Sequence, residues 1–234
     1  MLKGYRFIRK MAAQIEKATD DVASRIIGLH DTPAAREEEI TSQMRSEITL
    51  HLLEAVKEQL NGKFINGLFF DVYTYTKKQE HVVGADLAGI ISMTVDDITI
   101  TKGYLAQAKV AKAAYRDDKN KLHARVYDPR LSDQTQKMLD ISSSSVVFIY
   151  SKYGVHVVPA TATKLWNRNR VDTTKQYYMS LGEYYSEMYR SFVGDTNLAK
   201  VYTNPKELEL VAERTRAANV LLIQASNSGS GTAI

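Results

Sequence analysis

Apolar residues recur at helical spacing near the start of the chain, where Phe7, Met11, Ile15, Val22 and Ile26 predict an amphipathic helix from about Arg6 to Leu29. Gly28 and His30-Asp31 close it. Thr32-Pro33 then supplies an oxygen-bearing cap followed by proline at a first helical position. The second helix, predicted to run to about Leu60, places Ile40, Met44, Ile48, Leu52, Val56 and Leu60 at intervals of four and stops at Asn61-Gly62. Such a stripe is built for burial against something flat.

The period then changes from helical to extended. Phe64 to Tyr75 is aromatic and β-branched, Val82 to Thr94 is tightly apolar around Ile90 and Ile91, and Gly103 to Val110 carries Leu105, Ala106, Ala108 and Val110. A long helix followed by three such strands predicts an antiparallel meander covered by a helix. Further on, the pattern predicts a short helix over Ser132–Leu139 and a buried strand over Ser145–Ser151. A hairpin partner follows over Val155–Val158, ended by Pro159. Helices are expected over Leu181–Phe192 and Pro205–Ala218, an edge strand over Val220–Ile223, and a loose tail over Ser226–Ile234. The organisation is an N-terminal helix over 1–31, one α/β domain over 32–225 and a tail over 226–234.

Composition narrows the function classes. The chain has 234 residues, enough for a sizeable core, with ordinary hydrophobic and charged fractions of 44% and 25%. No apolar run approaches the ~20 residues that span a bilayer, and Met1-Leu2-Lys3-Gly4-Tyr5-Arg6 lacks the apolar stretch of a secretory leader. With no cysteine, disulfides and thiolate metal sites are excluded; a cytoplasmic protein without membrane contact is expected. A net charge of +4 permits a polyanionic partner, and 14 tyrosines against one tryptophan add rings that stack on bases or bond phosphates.

Two short segments carry chemistry. Gly84-Ala85-Asp86 puts a carboxylate at the head of one predicted strand, and Gln107-Ala108-Lys109 puts an amide and an ammonium two apart inside the next. Residues two apart on a strand share a face, so Gln107 and Lys109 project together, Asp86 can meet them from the neighbouring strand, and Ala106 and Ala108 turn into packing. Phosphodiester hydrolysis needs an activated water and neutralisation of charge growing on the phosphate oxygens. A hard cation on oxygen ligands and a nearby lysine supply both. Taken singly, Gly-x-Asp is a common strand entrance and Gln-x-Lys an ordinary half-exposed alternation; the conjunction after a long helix is what points to a site.

Over residues 33–112 this pattern resembles the PD-(D/E)XK nuclease superfamily, the restriction-endonuclease-like fold. The resemblance implies an α/β restriction-endonuclease-like core, a mixed central sheet flanked by helices, with N- and C-terminal helical additions. It implies that Asp86 binds Mg²⁺ (or Mn²⁺), that Gln107 stands where the family usually has Glu or Asp and brings an oxygen without charge, and that Lys109 serves the water. A second carboxylate then comes from the helix, from either Glu37 or Glu47; Glu37, Glu38 and Glu39 also complement the positive start of that helix. The implied function is a Mg²⁺-dependent endonuclease acting on DNA, an effector of bacterial anti-phage defence working as a homodimer or inside a larger defence complex. Two other classes fit the same residues: a nucleic-acid-binding module whose cleavage is lost through Gln107, or an adaptor subunit of a multi-protein system.

The remaining features divide between function and structure. His30, His51, His81, His123 and His156 show no ligand spacing, no glycine-rich phosphate loop occurs, and Gly229-Ser230-Gly231 has the wrong context for a serine hydrolase. Lys112, Arg116, Lys119, Lys121 and Arg125 read as a DNA-tracking segment or, with Asp117 and Asp118, as a loop of mixed charge. Lys164 to Arg170, with Trp166, reads as a phosphate contact beside a stacking ring or as a solvated loop. Tyr177, Tyr178, Tyr184, Tyr185 and Tyr189 fall at spacings that suit core packing.

Overall fold

The computed structural model describes residues 2–28, 37–59, 70–74, 84–95, 98–118, 121–166, 169–190, 192–199 and 219–227. Two long helices lead, α1 (Leu2–Gly28) and α2 (Glu37–Gln59). Strands β1 (Phe70–Thr74), β2 (Leu87–Val95), β3 (Ile98–Val110), β4 (Ala113–Arg116) and β5 (Leu122–Tyr127) follow, then α3 (Leu131–Ile141). The chain continues through β6 (Val146–Ser151), β7 (Gly154–Pro159), α4 (Ala160–Trp166), β8 (Arg170–Asp172), β9 (Met179–Ser180) and α5 (Leu181–Tyr189). The short α6 (Thr196–Ala199) and β10 (Asn219–Asn227) complete it.

Seven strands form a mixed sheet in the order β1-β10-β2-β3-β6-β7-β9, and β4, β5 and β8 form a second, three-stranded antiparallel sheet. The apolar stripes predicted on α1 and α2 are buried where the structure describes them: Met11, Ile15, Val22 and Ile26 on one helix, Ile40, Met44 and Ile48 on the other. The side chains of Phe7, Leu52 and Val56, and the whole of Leu60, lie outside the described residues. Together with α5, these helices cover one face of the large sheet, packing on Leu87, Ala106, Ala108, Phe148 and Tyr150. The opposite face, through Val147, Ile149 and Val158, packs on Leu131 of α3 and on Ala124, Val126 and Val171 of the small sheet. The fold class is thus mixed α/β, a mixed sheet flanked by helices.

The helical layer is fastened by polar contacts as well as apolar ones. Asp20 of α1 accepts hydrogen bonds from Ser180 Oγ at 2.7 Å and from the Gly182 N–H at 2.8 Å, at the start of α5. A Cβ on Gly182 would lie 2.1 Å from the Glu16 carbonyl oxygen, so only glycine lets α5 approach α1 this closely. None of the described helices is long and apolar enough to cross a membrane.

Four expectations are corrected. The strands do not form a simple meander: β2 and β3 are antiparallel neighbours, but β10 lies between β1 and β2 and runs parallel to β2. It is consequently an interior strand rather than an edge, and its unbroken Val220-Leu221-Leu222-Ile223 run is the pattern of a strand covered on both faces. It also extends through Ser226 and Asn227, into the segment expected to be tail. Finally, the basic stretch after β3 is not a loop. Ala124 and Val126 face the core while Arg125 and Tyr127 are exposed, so β5 is a half-buried strand whose charges mask its alternation. The helix expected over Pro205–Ala218 lies outside the described residues.

One buried ionisable group ties this architecture to pH. His156 on β7 is 2% exposed, its Nε2 3.2 Å from Ser151 Oγ and its ring edge-on to Tyr178 at 5.1 Å. Burial, with a smaller contribution from the charge of His123, pushes its pKa from 6.5 down to about 4. The unfolded chain therefore takes up this proton near 6.5 while the fold resists until about 4, and stability falls as pH drops through that window. By pH 5 the loss is expected to reach about 2 kcal/mol at ~1.4 kcal/mol per pH unit. Urea denaturation of the natural chain and of His156→Gln at pH 7.5 and pH 5 checks this, with the variant lacking that part of the acid loss.

Candidate functional site

The site forms where the start of β2 meets the end of β3. Gly84 holds φ 76°, and a Cβ there would lie 2.2 Å from the Gln134 carbonyl oxygen, so a glycine in left-handed conformation lets the loop lie directly on α3. Two residues later the Asp86 N–H donates to the Ala106 carbonyl at 2.9 Å, extending the β2–β3 ladder and delivering the Asp86 side chain to β3. Its Oδ2 accepts from the Ala108 N–H at 2.8 Å and from Gln107 Nε2.

Gln107 and Lys109 share one face of β3, as their spacing predicts, and both are buried, while Ala106 and Ala108 pack into the helical layer. Gln107 Nε2 also donates to the Ala108 carbonyl at 3.2 Å. Its Oε1 is buried and finds no hydrogen-bond donor among the described residues. A half-turn of the amide exchanges these two atoms without changing shape. As the amide stands, its Nε2 faces Asp86; the turned amide would give up both of its hydrogen bonds and set two oxygens side by side, which only a cation between them would offset.

The Lys109 ammonium lies 3.1 Å from Asp128 Oδ2 and 3.7 Å from Glu37 Oε1, on a side chain only 6% exposed. Glu37 is the first residue of α2, so the helix start reaches the site. That turn is pinned from the sheet: Thr41 Oγ1 donates to the Glu37 carbonyl at 2.8 Å, which leaves the Tyr150 hydroxyl to donate to Thr41 Oγ1 at 2.9 Å. Burial pushes the Tyr150 pKa up, the Thr41 hydrogen bond opposes this, and the negative charges of Asp86 and Glu37 add to the rise.

Asp128 is the site residue that motif reading does not find. It occupies the turn between β5 and α3, where its Oδ1 accepts from the Arg130 N–H at 2.8 Å. Burial alone raises its pKa, but that hydrogen bond and the Lys109 ammonium outweigh it and hold the carboxyl below its ordinary 3.8. The available signal was Asp128-Pro129, an Asx turn opening a helix, and it carries weight only once β5 is recognised as a strand.

Of the residues singled out in the sequence, the structure pairs Asp86 with Gln107 and Glu37 with Lys109. It does not bring Glu47 to them. Ten residues along α2, about 15 Å of helix, the Glu47 carboxylate pairs with Arg25 of α1 at 2.9 Å and with His51 at 3.5 Å. Three helical turns separate the two glutamates, so they cannot serve one ion. Among the described residues no group of three or more His, Asp or Glu side chains gathers as a metal cage. The oxygens that could serve a hard cation are those of Asp86, of the Gln107 amide once turned, and of Glu37, which faces Lys109. Comparison with family models, with curated proteins and with solved structures finds no match for this chain.

Charge burial at Lys109 makes the two partners unequal. Asp128→Ala would leave a buried ammonium facing only Glu37 and is expected to cost about 3 kcal/mol. Lys109→Met removes the buried charge, leaves Asp128 its backbone hydrogen bond, and is expected to change stability by less than about 1 kcal/mol or to raise it. Urea denaturation of both variants at neutral pH gives the comparison; equal losses would contradict it.

Proposed function

We propose that the chain is a metal-dependent nuclease with a restriction-endonuclease-like core, hydrolysing phosphodiester bonds with DNA as the expected substrate. The observation that carries this reading is the Asp86 carboxylate held against the buried Gln107 amide, on the same strand face as a buried Lys109 ammonium that lies between the carboxylates of Asp128 and Glu37. A fold does not bury a lysine without cost, and clustering it with acidic groups is a common mark of a working site. The Gly84-Ala85-Asp86 entrance meets the Gln107-x-Lys109 strand through Asp86 and Gln107, and the helix acid Glu37 meets it through Lys109.

Mg²⁺ or Mn²⁺ fits the oxygen set of Asp86, Gln107 and Glu37, and when bound supplies Lewis-acid polarisation of the phosphate and a more acidic water. In the hydrolysis a water oxygen forms a bond to phosphorus, the bond from phosphorus to one sugar oxygen breaks, and that oxygen leaves with a proton. Lys109 is placed to donate hydrogen bonds to a phosphate oxygen and so offset the charge that grows there. Asp128 keeps the ammonium aimed, and Glu37, with its side chain 35% exposed, stands at the solvent side where substrate enters. Cutting both strands of a duplex calls for two such sites, which a homodimer or a larger assembly would provide. The defence role is an analogy with the family.

A second reading, a nucleic-acid-binding module without cleavage, is favoured by the lack of a three-ligand carboxylate or histidine group among the described residues. A plasmid-nicking assay in Mg²⁺ and in Mn²⁺ separates the two. Nicking by the natural chain is expected, abolished by chelation, and reduced at least ~100-fold in Asp86→Ala and in Lys109→Ala. Glu37→Ala is expected to be impaired and Glu47→Ala to match the natural chain. Nicking that survives Lys109→Ala, or none by the natural chain in either metal, would overturn the proposal.

A further inference from the structure

The small sheet has an outer face that the site does not use. On it lie Tyr115 of β4, His123, Arg125 and Tyr127 of β5, and Arg170 of β8; Tyr127 is opposite Arg170 in register and Tyr115 opposite His123. Both outer tyrosines are exposed, 38% for Tyr115 and 44% for Tyr127. Each carries cations over its ring. Lys112 Nζ is 5.1 Å and the Arg170 guanidinium 5.4 Å from the Tyr127 ring centre, and the Arg125 guanidinium is 5.7 Å from that of Tyr115. Tyr115 in turn packs on His123 at 5.3 Å.

The charges on this face are not balanced. Arg125 is paired with Asp172 at 2.9 Å and His123 with Asp117 at 2.9 Å. Lys112 and Arg170 have no acidic side chain within ion-pair distance among the described residues. Their positive charge is held instead over a ring, which fixes its position and leaves it open to an anion. The patch is also continuous with the site: Tyr127 directly precedes Asp128, and Lys112 follows Lys109 by three residues, its N–H donating to the Arg125 carbonyl at 2.8 Å.

We infer that the outer face of the β4–β5–β8 sheet binds an unpaired nucleic-acid strand, with a base stacked at Tyr127 and its flanking phosphates on Lys112 and Arg170. Cations alone would serve a duplex backbone; exposed rings and a guanidinium plane interleaved with them add surface that only unstacked bases can use. The strand would run from this face toward Asp128 and Lys109. What happens to it there rests on the proposed function, whereas binding does not.

The test is fluorescence anisotropy of a labelled oligothymidine and of a duplex of equal length, with the full chain in EDTA so that nothing is cut. The single strand is expected to bind at least ~10-fold more tightly than the duplex. Tyr127→Ala is expected to weaken strand binding ~10-fold, the loss of one stacked base, while Tyr127→Phe stays within about twofold. Lys112→Ala and Arg170→Ala should each lower the slope of log affinity against log salt by about 0.7, and Lys137→Ala on α3, a change of equal charge elsewhere, by nothing measurable. Equal or tighter duplex binding, an intact Tyr127→Ala, failure of the natural chain to bind the strand, or a face that captures only protein would each overturn the inference. Strand binding without plasmid nicking would sink the proposed function alone; nicking with strand binding unaffected by Tyr127→Ala would sink this inference alone.

Discussion

Lys109 is an ammonium on a central strand, almost wholly removed from water, and the surrounding structure is arranged to make that tolerable. A charge so placed must be met by fixed partners, or the strand that carries it would not pack. One partner, Asp128, comes from a turn that exists because β5 ends and α3 begins there. The other, Glu37, comes from the first turn of α2, which Thr41 and Tyr150 tie to the sheet. Three separate stretches of chain thus converge on one nitrogen. The same requirement explains why the helix start and the small sheet are both anchored at this end of the large sheet.

Asp86 and Gln107 form a second pair beside it, and their chemistry is complementary to the first. The lysine cluster is electrically satisfied, whereas the amide leaves a buried oxygen without a donor among the described residues. An unpaired buried polar atom is a cost that folds rarely carry without reason.

Much of this was legible in the residue order. The stripes on α1 and α2, the β2–β3 hairpin, the strand face shared by Gln107 and Lys109 and the inward turn of Ala106 and Ala108 all follow from periods of 3.6 and 2. The choice between Glu37 and Glu47 was not legible, because both border the same stripe and only the tilt of α2 across the sheet decides which end meets β3. Asp128 was hidden for a different reason. The strand that presents it carries Arg125 and Tyr127 outward, and the charge of that face obscured the buried Ala124 and Val126. The interior place of β10 escaped as well, since a strand joining a sheet from far along the sequence leaves only its unbroken apolar run as a sign.

The proposed sharing of one cation by the Asp86, Gln107 and Glu37 oxygens is tested by Mn²⁺ titration of the full chain, followed by electron paramagnetic resonance. A single tight class of sites is expected, weakened at least ~10-fold in Asp86→Ala, tightened in Gln107→Glu by the added charge, and unchanged in Glu47→Ala. Mn²⁺ binding that ignores Asp86→Ala, or that follows Glu47 instead, would contradict it.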